Sequence, residues 1–232
     1  MMVGHTCVNN EANIDFFKSF KTVVFDCDGV VLDSNKTKTE AFRVIAKRYG
    51  DAAAESLVKY HTQNGGISRQ KKFEILLKDI LGFTNYDEQV EQLSTDYGSE
   101  VFSGLMNCNI ANGLHELKLQ NPHQNWMIVS GGSQKEIREI FLKRNISEYF
   151  DSGIYGNPDS KDNIMKRLVE SKVIEFPALF IGDSRYDHQI SEKFGLDFVF
   201  VSEWTEFSEW QMYCKNLSLK TLNNINEFLP LR

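Results

Sequence analysis

The chain has 232 residues, 41% of them hydrophobic, which is enough for one ordinary domain carrying a modest insertion. Its formal net charge of −6 and the absence of a basic stripe argue against nucleic acid as a partner, and no stretch is long and apolar enough to cross a membrane. Cys7, Cys27, Cys108 and Cys214 are scattered without a CxxC pair, which suggests neither a zinc site nor a disulfide framework and is expected of reduced thiols in a cytoplasmic protein.

Residues 1–20 carry Asn, Glu, Asp and Lys without a continuous apolar stretch, unlike a signal peptide. The first strand-like run is 22–25, Thr-Val-Val-Phe. Three more follow at 126–129, 178–181 and 198–201, all rich in β-branched or aromatic residues. Their unbroken apolarity predicts burial on both faces, as in a parallel sheet covered by helices. Helical patterns such as 135–142 lie between them, so the fold class is α/β, an open parallel sheet flanked by helices.

One long segment lacks strands. From about residue 35 to 105 the pattern predicts helices over 39–49, 52–60, 69–80 and 87–102, punctuated by Gly50, Gly65-Gly66 and Gly82. This reads as an inserted all-helical lobe, with residues 1–34 and 106–232 forming the core. Extra helices packed on the same core are the alternative.

Chemistry concentrates at three strand ends, where ligands bind in open α/β sheets. The first strand runs into Asp26-Cys27-Asp28-Gly29. While the chain stays extended, Asp26 and Asp28 share one side, and two close carboxylates need a cation or a proton between them. A polar strand end with a tight turn would give the same letters. The second run ends in Ser130-Gly131-Gly132-Ser133, where a hydroxyl and glycine N–H groups can approach an anion, or simply turn the chain. Ser133 and Glu136 have the spacing of a helix start. The third ends in Gly182-Asp183-Ser184, with Asp187 in the first turn of a predicted helix. Carboxylates without His or Cys suit a hard cation, and magnesium is the natural candidate. Lys161, ahead of a helix over 163–169, offers a positive group for an anion, although a solvated surface lysine is the plainer reading of that position alone.

Together these residues resemble the haloacid dehalogenase superfamily, in its phosphoglycolate phosphatase and β-phosphoglucomutase-like branch. An apolar strand followed by Asp26-x-Asp28-Gly29, a strand-end Ser130, Lys161 before a helix, and Gly182-Asp183-Ser184-x-x-Asp187 come in the family order over most of the chain. The resemblance implies a modified Rossmann-like core with a helical cap over 35–105. It also implies a phosphatase using Mg2+ on a small phosphorylated metabolite. Asp26 would be the nucleophile and Asp28 the acid and base. Asp26, Asp28 (through its carbonyl), Asp183 and Asp187 would hold the metal, with Ser130, Gly131 and Lys161 on the phosphate. In such a family the cap selects substrate. His61, Gly65-Gly66, Ser68, Arg69 and Lys72 form a candidate strip, and Arg69 and Lys72 would equally suit a solvated helix face.

The same motifs serve a sugar-phosphate phosphomutase. A phospho-accepting module without turnover is a further alternative, against which Asp28 and the insert argue. A dehalogenase needs neither the metal nor the Asp28 acid. Cys27 is expected to turn away from the carboxylates, and Ser184 to start a helix rather than act as a nucleophile.

Overall fold

Alternate residues of the central strand point into two different apolar layers. In β1 (Thr22–Phe25), Val23 and Phe25 enter one buried cluster and Val24 the other. The same alternation repeats in β2 (Asn125–Ser133), where Trp126 and Ile128 face one layer and Met127 and Val129 the other. In β4 (Ala178–Gly182) it divides Leu179 and Ile181 from Ala178 and Phe180. A strand reads as continuously apolar because helices cover both of its sides.

The structure is a computed structural model that describes residues 4–230, with side chains from residue 11 onward; the Cys7 side chain lies outside the described residues. All the pairings are parallel, and the sheet order is β3-β2-β1-β4-β5-β6, with β3 (Ile154–Asn157), β5 (Asp197–Val201) and β6 (Lys220–Leu222). The chain therefore builds outward from β1 to β3 on one side, then returns to lay β4 on the other flank of β1. The crevice at that reversal is where an open α/β sheet binds ligands.

One face is covered by α1 (Gly4–Lys18), α6 (Leu114–Gln120) and α7 (Gln134–Lys143), through Phe17, Leu117 and Phe141 among others. The other is covered by α8 (Lys161–Glu170) and α9 (Arg185–Phe194), through Ile164, Leu168 and Ile190. The short α10 (Trp210–Asn216) seals the outer edge with Cys214 beside Phe200. Cys27, Cys108 and Cys214 are free thiols.

Between β1 and β2 the chain is helical, as the sequence predicts: α2 (Asn35–Ala46), α3 (Asp51–Gln63), α4 (Arg69–Ile75) and α5 (Asp87–Asn107). Their apolar stripes meet one another. Phe42 of α2 packs against Phe73 of α4 and Tyr97 of α5, with ring centroids 5.4 and 4.3 Å away, and Leu57 of α3 is fully buried. Three details depart from the sequence reading. The helix expected over 69–80 widens into a π turn at Leu76–Ile80, and α5 runs to Asn107, past the expected boundary at 105. The Gly131-Gly132 turn expected after the second run is instead strand, because β2 continues to Ser133 beside Asn157 of β3.

Candidate functional site

Register places the strand ends side by side. Phe25 pairs with Ile128 of β2 and Ile181 of β4, so Asp26 lies level with Val129 and Gly182. Ser130 and Asp183 then each stand one residue beyond Asp26 on its two neighbours. The Asp26 N–H donates to the Ile181 carbonyl at 2.9 Å, holding the residue in the sheet as its side chain leaves it.

After Asp26 the chain folds back on itself. Val31 and Leu32 N–H groups donate to the Cys27 carbonyl, and Gly29 turns with φ of 78°. A Cβ on Gly29 would collide with the Asp183 carboxylate, so a side chain is excluded there by position as well as by backbone conformation. This turn aims Asp28 toward α2. Its Oδ1 accepts from the Ser34 hydroxyl at 2.6 Å and its Oδ2 from Lys38 Nζ at 2.5 Å.

Three serines set the helices that follow the strands. Ser133, Ser160 and Ser184 each accept the N–H three residues on, from Glu136, Asn163 and Asp187, capping α7, α8 and α9. Ser160 thereby fixes Lys161 as the first residue of α8, and Ser184 fixes Asp187 in the first turn of α9. Lys161 is 1% exposed and Asp187 fully buried. Lys161 Nζ lies 2.9 Å from Asp26 Oδ1 and 2.5 Å from Asp187 Oδ1, while Asp187 Oδ2 accepts from the Ser184 hydroxyl at 2.6 Å.

Asp26, Asp183 and Asp187 each present a carboxylate oxygen within 4.8 Å of the others. Burial and the neighbouring Asp187 and Asp28 charges, against the pull of Lys161, lift Asp26 to about 7. Burial, Asp26 and Asp187 push Asp183 well above the usual carboxylate range. Asp28 behaves oppositely: burial would raise it, but the Lys38 charge and the hydrogen bonds from Lys38 and Ser34 together hold it below that range. Lys161 is raised, because Asp187 and Asp26 outweigh the cost of its burial.

The donor set fits a divalent cation. Among the described residues no donor reaches Asp26 Oδ2 or Asp183 Oδ1, whereas Asn35 Nδ2 takes Asp183 Oδ2 at 2.7 Å. Hard oxygen ligands, buried and short of positive charge, match a small hard cation. Both Asp187 oxygens are already engaged, Oδ1 by Lys161 and Oδ2 by the Ser184 hydroxyl.

The other expected residues fall around the same cleft. Ser130 is buried in β2 and its Oγ accepts from the Gly132 N–H at 3.0 Å. The inserted lobe descends onto this strand end: a Cβ on Gly131 would strike the Gly66 carbonyl, and one on Gly66 would lie 3.4 Å from Lys161 Nζ. His61, Gly65, Gly66, Arg69 and Lys72 all line the cleft with Asp26 and Asp28. Arg69 and Lys72 are 8% and 2% exposed, which overturns the solvated-face alternative. Arg69 makes a two-pronged pair with Glu136 of α7, one arm at 3.0 Å, and lies 4.9 Å above the Tyr97 ring. Cys27 is buried in the apolar layer with its thiol pushed up by burial and by Asp28, and Ser184 is a cap, as expected.

Sequence reasoning missed the site roles of Ser34, Asn35 and Lys38 and read Glu136 only as part of a helix start. A signal existed for two of them. Asn35 and Lys38 sit three apart at the start of a helix that leaves the Asp28 turn directly, so they share a face turned back toward it. Thr205, whose hydroxyl donates to the Asp183 carbonyl at 2.7 Å, carried no local pattern.

Residues 23–201 match the haloacid dehalogenase-like hydrolase family. The chain is 25% identical over 168 residues to a phosphorylated carbohydrates phosphatase of Thermotoga maritima, covering 67% of this chain and 75% of that protein. Its fold is similar to that of a β-phosphoglucomutase from Clostridium difficile, with a TM-score of 0.67 at 18% identity, covering 90% of this chain and 93% of the other. A hydrolase from Pseudomonas syringae has the same TM-score at 18% identity, over 88% and 94% of the two chains.

Proposed function

The chain belongs to the haloacid dehalogenase-like hydrolase family, and from that premise we propose that it is a magnesium-dependent phosphatase of a small phosphorylated metabolite, working through a phospho-aspartate on Asp26. The observation that carries this reading is the setting of Asp26: a buried carboxylate at the end of the central strand, one oxygen on Lys161 and the other without a protein donor.

Asp26 would attack phosphorus through a carboxylate oxygen, forming an acyl phosphate as the bond to the alcohol oxygen breaks. Lys161, the Ser130 hydroxyl and the Gly131 main-chain N–H would stabilise the phosphoryl oxygens. Asp28 would give its proton to the departing alcohol, then take one from the water that attacks the acyl phosphate and releases inorganic phosphate. Lys38 and Ser34 hold Asp28 below the ordinary carboxylate range and so ionised. The proton it passes on would arrive with the substrate, whose phosphate group titrates at about pH 6. Asp26, Asp183 and the Asp28 main-chain carbonyl would hold the cation, with Asp187 orienting Lys161. A bound Mg2+ supplies charge neutralisation between an anionic nucleophile and an anionic phosphate.

The inserted helices would act as the cap, since their Gly65-Gly66 loop lies against Gly131, beside the strand ends. Such a cover favours small substrates over proteins. The test is release of inorganic phosphate from sugar phosphates with Mg2+, its loss with EDTA, and a fall of about 10³-fold or more in Asp26→Asn. Unchanged turnover in Asp26→Asn would sink the reading. Transfer to a second sugar without free phosphate would make the protein a phosphomutase.

A further inference from the structure

Besides Lys72, three other cations around the cleft face a carboxylate. Lys161 faces Asp26 and Asp187, Lys38 faces Asp28, and Arg69 faces Glu136. Lys72 is different. It is 2% exposed, it lines the cleft with Asp26 and Asp28, and among the described residues no carboxylate pairs with its ammonium.

What surrounds Lys72 is otherwise weak. His61 Nδ1 lies 2.6 Å from Nζ and the Phe42 ring centroid 5.4 Å away. Burial holds the His61 imidazole well below its usual titration range, with the Lys72 and Lys38 charges adding to it, so the ring brings Lys72 no compensating charge. An ammonium has three donors, and one neutral acceptor leaves two of them for something else. Lys72 is a positive group where water scarcely reaches, and among the described residues Asp28 and Asp26 act on it only through space, without an ion pair.

An opposite charge beside a buried cation offsets the cost of its burial. Burial, with the Lys38 charge adding to it, depresses the Lys72 ammonium to about 7. An anion beside it would reverse this, because an opposite charge favours the protonated form. In the phosphatase reading the transferring phosphoryl group is served by Lys161 and the strand ends. Lys72 sits on α4 and His61 on α3, on the wall that the inserted lobe supplies.

We propose that Lys72, backed by His61, receives a second anionic group of the substrate, a carboxylate or another phosphate, borne on the part of the molecule that leaves as the alcohol. The proposal rests on the phosphatase reading and narrows it from phosphomonoesters in general to those with two anionic ends.

The test compares matched probes that differ only in that second group: phosphogluconate against sorbitol phosphate, phosphoglycolate against hydroxyethyl phosphate, and fructose bisphosphate against fructose monophosphate. Phosphate release is followed with Mg2+ for the natural chain, Lys72→Met and Lys72→Arg. At least one doubly anionic member is expected to exceed its partner by about tenfold or more in kcat/KM, chiefly through KM. Lys72→Met should remove that preference and Lys72→Arg should keep part of it. Equal efficiency within every pair overturns this inference while leaving the phosphatase reading standing, and it needs no variant to be folded. A preference that survives in Lys72→Met overturns the assignment to Lys72. No phosphate from any probe overturns the phosphatase reading, and this inference with it.

Discussion

Lys38 Nζ stands 2.5 Å from Asp28 Oδ2, so a cation on the first inserted helix governs the ionisation of the second carboxylate at the strand end. The consequence is measurable in a pH profile. Lys38→Met removes the charge that holds Asp28 low, so the Asp28 pKa rises and its protonated form survives to higher pH. With Asp28 receiving its proton from the substrate, its own titration sets the acid limb of kcat/KM; that limb moves to higher pH, and kcat drops about tenfold as the carboxyl loses its anchor. A limb that stays in place would assign the titration to another group.

The Gly66 carbonyl lies against Gly131, where a side chain would need the same space. Gly131→Ala should push the inserted loop off the strand end while leaving the sheet intact. The expected result is a fall of about tenfold in kcat/KM with little change in Tm, read by steady-state kinetics and thermal unfolding. Unaltered kinetics would mean that the loop does not rest on Gly131 during turnover.

Arg69 of α4 and Glu136 of α7 tie the inserted lobe to the core through a two-pronged, largely buried pair. Arg69→Met and Glu136→Gln should therefore not be additive. A double-mutant cycle on unfolding free energy is expected to give a coupling of about 1–2 kcal/mol. A coupling near zero would show that the lobe closes without this pair.

Removing the cation should matter more at high pH than at low. Burial first, then neighbouring carboxylates, raise Asp26 to about 7 and Asp183 well above the ordinary range in the metal-free protein. Between about pH 4 and about pH 7 the folded state thus binds more protons at Asp26 than the unfolded chain, and this carboxylate's contribution to stability falls as pH rises. A cation competes with those protons. The gain in Tm on adding Mg2+ should be larger at about pH 8 than at about pH 5. Equal gains at both would place the cation elsewhere.

The parts of this site that were legible in the sequence are those written in one short stretch each. Asp26, Asp28 and Gly29 follow a buried strand directly, Asp183 and Asp187 sit either side of a serine cap, and Ser130 ends a run of apolar residues. The elements that escaped were β3, whose four residues alternate in burial and include a glycine, and β6, three residues with little apolar content. Both lie at the edges of the sheet, where only part of each strand is covered and the apolar signal is correspondingly faint.

The sequence by itself determined which strand ends carry carboxylates, because burial on both faces and the helix-start serines leave a local pattern. Only the tertiary structure decided what those carboxylates face. Lys38 on Asp28, Arg69 on Glu136, Gly66 over Gly131 and Lys72 beside His61 all join separate elements of the chain. Residue spacing encodes the face of a helix but not how an inserted lobe is turned over a sheet. That orientation comes from the packing of many side chains at once, and no short motif records it.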